Sequence, residues 1–250
     1  MRLIIPDWRA PKNINAFTSS RRDGVSVGVY NSLNVGDHVE DDPIKVECNR
    51  ETLITAVREQ YDIDLADSFE PQWLNQRHTT IIRTNDQLTP QEVMSECDGQ
   101  YTQSKGVVCT VMTADCMPVF ICNQTGTEVA LVHAGWRGLA DGIVEKAIQL
   151  FSDKSADLMV HCGPAISQKN FEIGNDVKAM LGGSEKFYLN NSKRKGHCYA
   201  DLTGLLGERV NSLGADFSYS EFCTFSDEEL FYSYRRDGVT GRMVSMIWMS

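Results

Sequence analysis

The chain is poor in histidine. Its 250 residues include five, His38, His78, His133, His161 and His197, and no two of them are separated by a single residue. A cluster of several copper ions consumes many imidazoles, so this supply does not furnish one. No apolar stretch approaches the length of a membrane span. The first apolar run is cut by Pro6 and Asp7 and does not read as an export signal. No Cys-x-x-Cys pair occurs among the eight cysteines. Scattered through apolar runs, these thiols are expected to be reduced and mostly buried in a cytoplasmic protein. An excess of positive charge is also missing: 24 basic residues against 34 acidic give a net charge of -10. Binding to nucleic acid or to an anionic membrane draws its affinity from cations, so neither is expected, although a small basic pocket remains compatible.

What is present suits a globular enzyme. The 42% apolar content supplies a sizeable core, and without repeats, low-complexity segments or linkers, residues 1–250 are expected to form a single domain. The organising stretch is 107–139, VVCTVMTADCMPVFICNQTGTEVALVHAGWRGL. Residues 107–113 read as a buried strand that delivers Ala114-Asp115-Cys116 at its end. Residues 128–132 do the same for His133, and Gly135-Trp136-Arg137-Gly138 then turns into a helix. Side chains placed where strands stop are rigidly held yet face a cleft.

Elsewhere, strands are expected at 3–5, 14–18, 80–83, 157–162, 217–221, 231–234 and 243–249. Helices are expected from Asp42-Pro43 onward, as one long amphipathic element over 139–151, around 177–181 before Gly182-Gly183, and from Asp201 to Gly214. Residues 19–36, 86–99 and 184–196 read as polar excursions, and Arg235-Arg236-Asp237-Gly238 as a turn between the last two strands. Short strands follow one another without intervening helices at both 71–83 and 217–249. That pattern favours a mixed α/β fold, a layered sandwich of mixed sheets with helices packed outside.

Three side chains are best placed for chemistry: His78, Cys116 and His133. Two imidazoles and a thiolate make a catalytic zinc shell that leaves the fourth position to water, whose pKa zinc lowers towards about 7. The same residues also suit a metal-free pair, with Cys116 as nucleophile and a histidine as base. Arg137 at a helix start could bind an anion or form a surface ion pair. Asp115 beside Cys116 is a candidate general acid or base, or an outer hydrogen-bond acceptor. Cys223 also stands in suggestive surroundings.

Thr113-Ala114-Asp115-Cys116-Met117-Pro118-Val119 and His133-Ala134-Gly135-Trp136-Arg137-Gly138 resemble the two signature motifs of the YfiH-type family. Further matches are Ser32-Leu33-Asn34-Val35-Gly36, Gly163-Pro164-Ala165-Ile166, Phe171-Glu172-Ile173-Gly174, Cys223-Thr224 and Tyr234-Arg235-Arg236-Asp237. Members are called laccase-domain proteins, polyphenol oxidases or multi-activity purine nucleoside phosphorylases. The resemblance implies zinc held by His78, Cys116 and His133. It also implies phosphorolysis of adenosine, inosine and methylthioadenosine, and deamination of adenosine. Phosphate would fall to Arg137 with the helix amides, joined by Arg21 or Arg235. Two alternatives stand beside it: a Cys-His hydrolase or amidase acting on a cell-wall precursor, and a polyphenol oxidase with copper in the same three-residue site. One departure is visible. The family has Gln-Val-His-Gly at the first ligand and this chain has Gln76-Arg77-His78-Thr79; if that last position needs φ > 0, Thr79 is strained there.

Overall fold

The computed structural model describes residues 1–64, 69–84 and 96–250. Two mixed sheets lie face to face. One has the order β1 (Leu3–Ile4), β2 (Ile14–Ser19), β14 (Met243–Met249), β6 (Val107–Thr113) and β3 (Glu70–Gln72), antiparallel except for β6 with β3. The other runs β13 (Asp216–Tyr219), β9 (Leu158–Cys162), β7 (Met117–Asn123), β8 (Val129–Ala134), β5 (Gly99–Thr102) and β4 (Ile82–Thr84), parallel only at its two edges. The layered mixed α/β sandwich expected from the sequence is what forms.

Alternation along the strands builds the layers. On β6, Cys109 and Val111 meet Phe120 and Cys122 of β7 and Val129 and Leu131 of β8 between the sheets. Val108 and Met112 point the other way, onto Leu53 and Val57 of helix α1 (Pro43–Gln60). Met117, Val119 and Ile121 of β7 face a third layer. That layer contains α2 (Trp136–Ala140), α3 (Ile143–Ile148), α4 (Asn175–Leu181) and α5 (Leu202–Ser212). It also holds a small sheet of β10 (Glu172–Gly174), β12 (His197–Ala200) and β11 (Tyr188–Leu189). Both sheets are covered on both faces, which is why their central strands are continuous apolar runs. Each fully buried large side chain such as Phe120 contributes roughly 1.5–3 kcal/mol.

Three expectations about elements are corrected. The single helix over 139–151 is two, because Gly142 adopts φ 80 between α2 and α3 and breaks the hydrogen-bond ladder. The strand over 231–234 does not form. Phe231 and Tyr232 are fully buried without a ladder, and Ser233 caps a single turn, α6 (Tyr234–Asp237), by accepting from the Arg236 N–H. The excursion at 184–196 contains β11, which pairs with β12. Of the 86–99 excursion, residues up to 95 lie outside the described residues, while Gly99 begins β5. No helix among the described residues is long and apolar enough to cross a membrane.

Candidate metal centre and its cavity

The chain crosses from one sheet to the other between β6 and β7, using only Ala114, Asp115 and Cys116. So tight a crossing puts Asp115 at φ 97, a left-handed conformation that costs on the order of 1 kcal/mol in a non-glycine residue. It also sets Cys116 at the head of β7. In the β7–β8 ladder Pro118 faces His133 and Met117 faces Ala134, so Cys116 comes level with Gly135. His78 reaches the same place from the loop after β3. Its Nε2 lies 3.9 Å from the Cys116 Sγ, and its ring sits 4.7 Å from the His133 ring, tilted by 68°. One donor atom from each of His78, Cys116 and His133 lies within 4.8 Å of the others. Ligands of a tetrahedral ion stand roughly 3.3–3.6 Å apart, so a small contraction closes the shell. The three sequence candidates are thus brought together.

Asp98 holds this arrangement, and sequence reading missed it. Its fully buried carboxylate bonds to His133 Nδ1 at 2.8 Å, leaving Nε2 for the centre. The same carboxylate accepts three successive backbone N–H groups, from Arg77 at 3.2 Å, His78 at 3.0 Å and Thr79 at 2.6 Å. One acid therefore fixes the tautomer and direction of the His133 ring and ties down the backbone of the loop that carries His78. The left-handed residue in this loop is His78 itself, at φ 60, and not Thr79. The strain expected at Thr79 is absent; its hydroxyl donates to Asp98 at 2.8 Å, a contact glycine could not make. Gln76 pins the loop from the other side, pairing its amide with Met112 N–H and C=O on β6.

Electrostatics favour an anionic sulfur. Burial opposes charge on Cys116, but the charge and hydrogen bond of His133, then those of His78, outweigh it and hold the thiol below its ordinary value. Burial likewise opposes charge on His133, and Cys116 and Asp98 together push its pKa up. At Asp98, burial is overcome by the His133 hydrogen bond and charge and by Thr79, leaving the carboxyl at about 2.

Gly135 supplies the room. A Cβ there would lie 2.9 Å from His78 Cδ2 and 3.0 Å from Cys116 Sγ. Gly135→Ala is expected to push one ligand aside and weaken metal binding by about 10–100-fold, the range for a disturbed outer shell. Competitive titration with a chromogenic chelator reads this, and unchanged affinity would show that the ligands have slack.

The cluster floors a cavity of about 540 Å³. Trp136, Ile166, Phe171 and Tyr234 give it apolar faces, and Arg77, Arg137, Arg235 and Arg242 give it cations. Arg137 sits at the exposed rim, its guanidinium 4.3 Å from the Trp136 ring centre. Helix α2 is only five residues long, so its dipole adds little to an anion site. Arg235 stacks over Phe171 at 5.0 Å and donates to the Glu172 carbonyl at 2.9 Å. Arg77 contacts Glu96 at 3.5 Å in an exposed pair that contributes little. Arg21 is not at this cavity. It lines a separate hollow, donating to the Asn31 carbonyl at 2.9 Å.

Asp115 lines the cavity with both oxygens engaged, accepting from Thr224 Oγ1 at 2.7 Å and from the Arg235 N–H at 2.6 Å. Cys223 lies behind the wall. Its buried sulfur accepts from the Ser167 N–H at 3.3 Å and from Asn170 at 3.4 Å; burial raises its pKa, but hydrogen bonding from Ser167 and Ser226 outweighs that and brings it to about 7. All eight cysteines are free, and only Cys48 is exposed.

Residues 15–250 match the family model described as multi-copper polyphenol oxidoreductase laccase. The chain is 40% identical to a Haemophilus influenzae protein named purine nucleoside phosphorylase, over 99% of each chain. It is 38% identical to the Escherichia coli protein named purine nucleoside phosphorylase YfiH, again over 99% of each. A Neisseria meningitidis crystal structure superposes with a TM-score of 0.87 at 36% identity, covering 100% of both chains.

Proposed function

Because the chain belongs to the multi-copper polyphenol oxidoreductase laccase family, the YfiH family, we propose that it is a metal-dependent purine nucleoside phosphorylase acting on adenosine, inosine and methylthioadenosine, with adenosine deaminase activity at the same site. One observation carries this reading: a single cavity joins a two-imidazole, one-thiolate donor set to stacked aromatic faces and guanidinium groups. A purine offers a flat π-face to Trp136 or Phe171, and phosphate calls for the cations. In phosphorolysis a phosphate oxygen bonds to ribose C1′ as the C1′–N bond breaks. The electron pair leaves with the purine, which takes up a proton, giving ribose 1-phosphate and free base.

The donor set suits zinc, with Asp98 fixing the ring direction. Zinc held by His78, Cys116 and His133 would polarise an oxygen and ease loss of a proton from water, the chemistry deamination needs. Arg137, at the exposed rim and stacked on Trp136, draws phosphate inward. Asp115, with both oxygens engaged, positions the Cys116 crossing and Arg235 rather than moving a proton.

A second reading is oxidation of a phenol at a single copper. The family's description favours it directly, and two imidazoles with a thiolate bind copper at least as tightly as zinc. Among the described residues, the donor cluster is sufficient for one such ion, not several.

One set of assays separates the readings: adenosine with and without phosphate, and a phenol in air, each before and after a chelator. Base release is expected to need phosphate and ammonia release is not, and both should vanish on chelation and return with zinc. Phenol oxidation restored by copper, without base release, would favour the oxidase. Activity that survives chelation but not thiol alkylation would favour the Cys-His hydrolase.

A further inference from the structure

Arg242 is the cation of the cavity that is least explained by its surroundings. It directly precedes β14, whose first residue, Met243, faces Thr113 at the end of β6. That register places Arg242 beside the crossing that carries Asp115 and Cys116. Its position is built with care. Asn34, fully buried, accepts the Arg242 backbone N–H at 2.9 Å and the Gly36 N–H at 2.9 Å with the same oxygen. The side-chain stem lies where a Cβ on Gly36 would come within 2.8 Å. At the far end, Nη1 donates to the carbonyls of Thr240 at 2.9 Å and Gly241 at 3.0 Å. Nε and Nη2 have no protein partner among the described residues, and the guanidinium forms no ion pair there. Burial holds this guanidinium below the ordinary arginine value, and the charges of Cys116 and Asp115 offset that only in part, without an ion pair to either; a largely covered cation of this kind is costly unless a further anion meets it.

The second observation is independent. Thr113 is 1% exposed, its hydroxyl has no hydrogen-bond partner, and it lines the same cavity. Buried hydroxyls are nearly always satisfied, so an orphan on a residue of the cavity wall, closed off as it stands, calls for a partner that a turn of the side chain about χ1 brings within reach. The other arginines differ. Arg137 and Arg235 lie on aromatic rings at the rim, and Arg77 is exposed against Glu96. Of the four arginines that line this cavity, Arg242 combines cover, a fixed backbone and idle donors beside the cluster.

We propose that Arg242 and the Thr113 hydroxyl form the seat of a tetrahedral oxyanion, inorganic phosphate, at the inner end of the cavity. The two idle guanidinium donors grip two phosphate oxygens as a fork, which lysine cannot reproduce. The threonine hydroxyl takes a third oxygen, which favours a tetrahedral anion over a planar carboxylate. The rim arginines then gather phosphate while Arg242 fixes it. The inference deepens the phosphorolysis reading, naming where that reaction's second substrate sits.

The test is calorimetric titration of the zinc-loaded protein with inorganic phosphate, alongside KM values for phosphate and inosine. Arg242→Gln is expected to weaken phosphate binding and raise its KM by 30-fold or more, with inosine KM changed less than threefold and zinc content intact. Arg242→Lys should lie between, and Thr113→Val, nearly isosteric and safe for folding, should cost phosphate about tenfold. Unchanged phosphate affinity in both Arg242→Lys and Thr113→Val overturns the seat. So does a larger phosphate loss in Arg137→Gln than in Arg242→Gln, which would put the anion at the rim. Phosphate binding that depends on Arg242 in a protein without phosphorolysis would keep the seat and reject the phosphorylase reading.

Discussion

Cys116→Ala is expected to abolish both base release and ammonia release while leaving the fold intact. The sulfur is one of three donors within 4.8 Å of one another, and its loss leaves two imidazoles that hold a divalent ion far more weakly. The affinity lost should exceed the roughly 10–100-fold that outer partners are worth. Because Cys116 is only half-buried and its methylene stays, the variant stripped of metal should unfold within a few degrees of stripped wild type. Metal analysis, activity and calorimetry on one preparation check all three. Full activity in this variant rejects the assignment of the site.

The second large effect belongs to a residue that touches no substrate. Asp98→Asn keeps the shape but not the charge. Its amide would point N–H groups at donors already supplied by Arg77, His78, Thr79 and His133. Breaking a buried charged network from one side costs on the order of 3 kcal/mol, or roughly 6–12 °C in Tm for a chain of this size. Metal affinity should fall about 10–100-fold because His133 loses its fixed tautomer.

A pH signature separates this role from simple packing. The Asp98 carboxyl lies at about 2, below its ordinary 3.8, so the folded state favours the ionised form. The stabilisation, about 2 kcal/mol, is fully present above roughly pH 4 and is lost as pH falls through 2. Acid denaturation of chelated wild type should show that limb, and Asp98→Asn should flatten it. An unchanged acid limb and unchanged metal affinity would deny Asp98 any part in the centre.

The contrast between Cys116 and Asp98 shows what this sequence discloses. Val107–Thr113 announces itself as a strand by composition, and Cys116 and His133 follow two such runs, so chain order alone places them near each other. His78 stands on a loop, and its role was legible through the resemblance and the company it keeps. Asp98 carried no signal, because it acts on a loop some twenty residues earlier and on β8 beyond it. Arg242 was silent for the same reason: its backbone partner Asn34 and the strand end at Thr113, opposite the next residue Met243, are both distant in the chain. The break at Gly142 and the buried coil at Phe231-Tyr232 escaped periodicity, since burial there comes from tertiary contact and not from a ladder. The strain conditional on a left-handed residue after the first ligand does not arise at Thr79, because His78 itself takes that conformation.

X-ray absorption at the zinc and copper edges, on protein purified without added metal, decides whether one ion sits on these three side chains. About one ion per chain is expected, with one sulfur near 2.3 Å and two imidazole nitrogens near 2.0–2.1 Å, the sulfur shell missing in Cys116→Ala. An active protein whose ion has no sulfur neighbour, or that holds far less than one ion per chain, would contradict it.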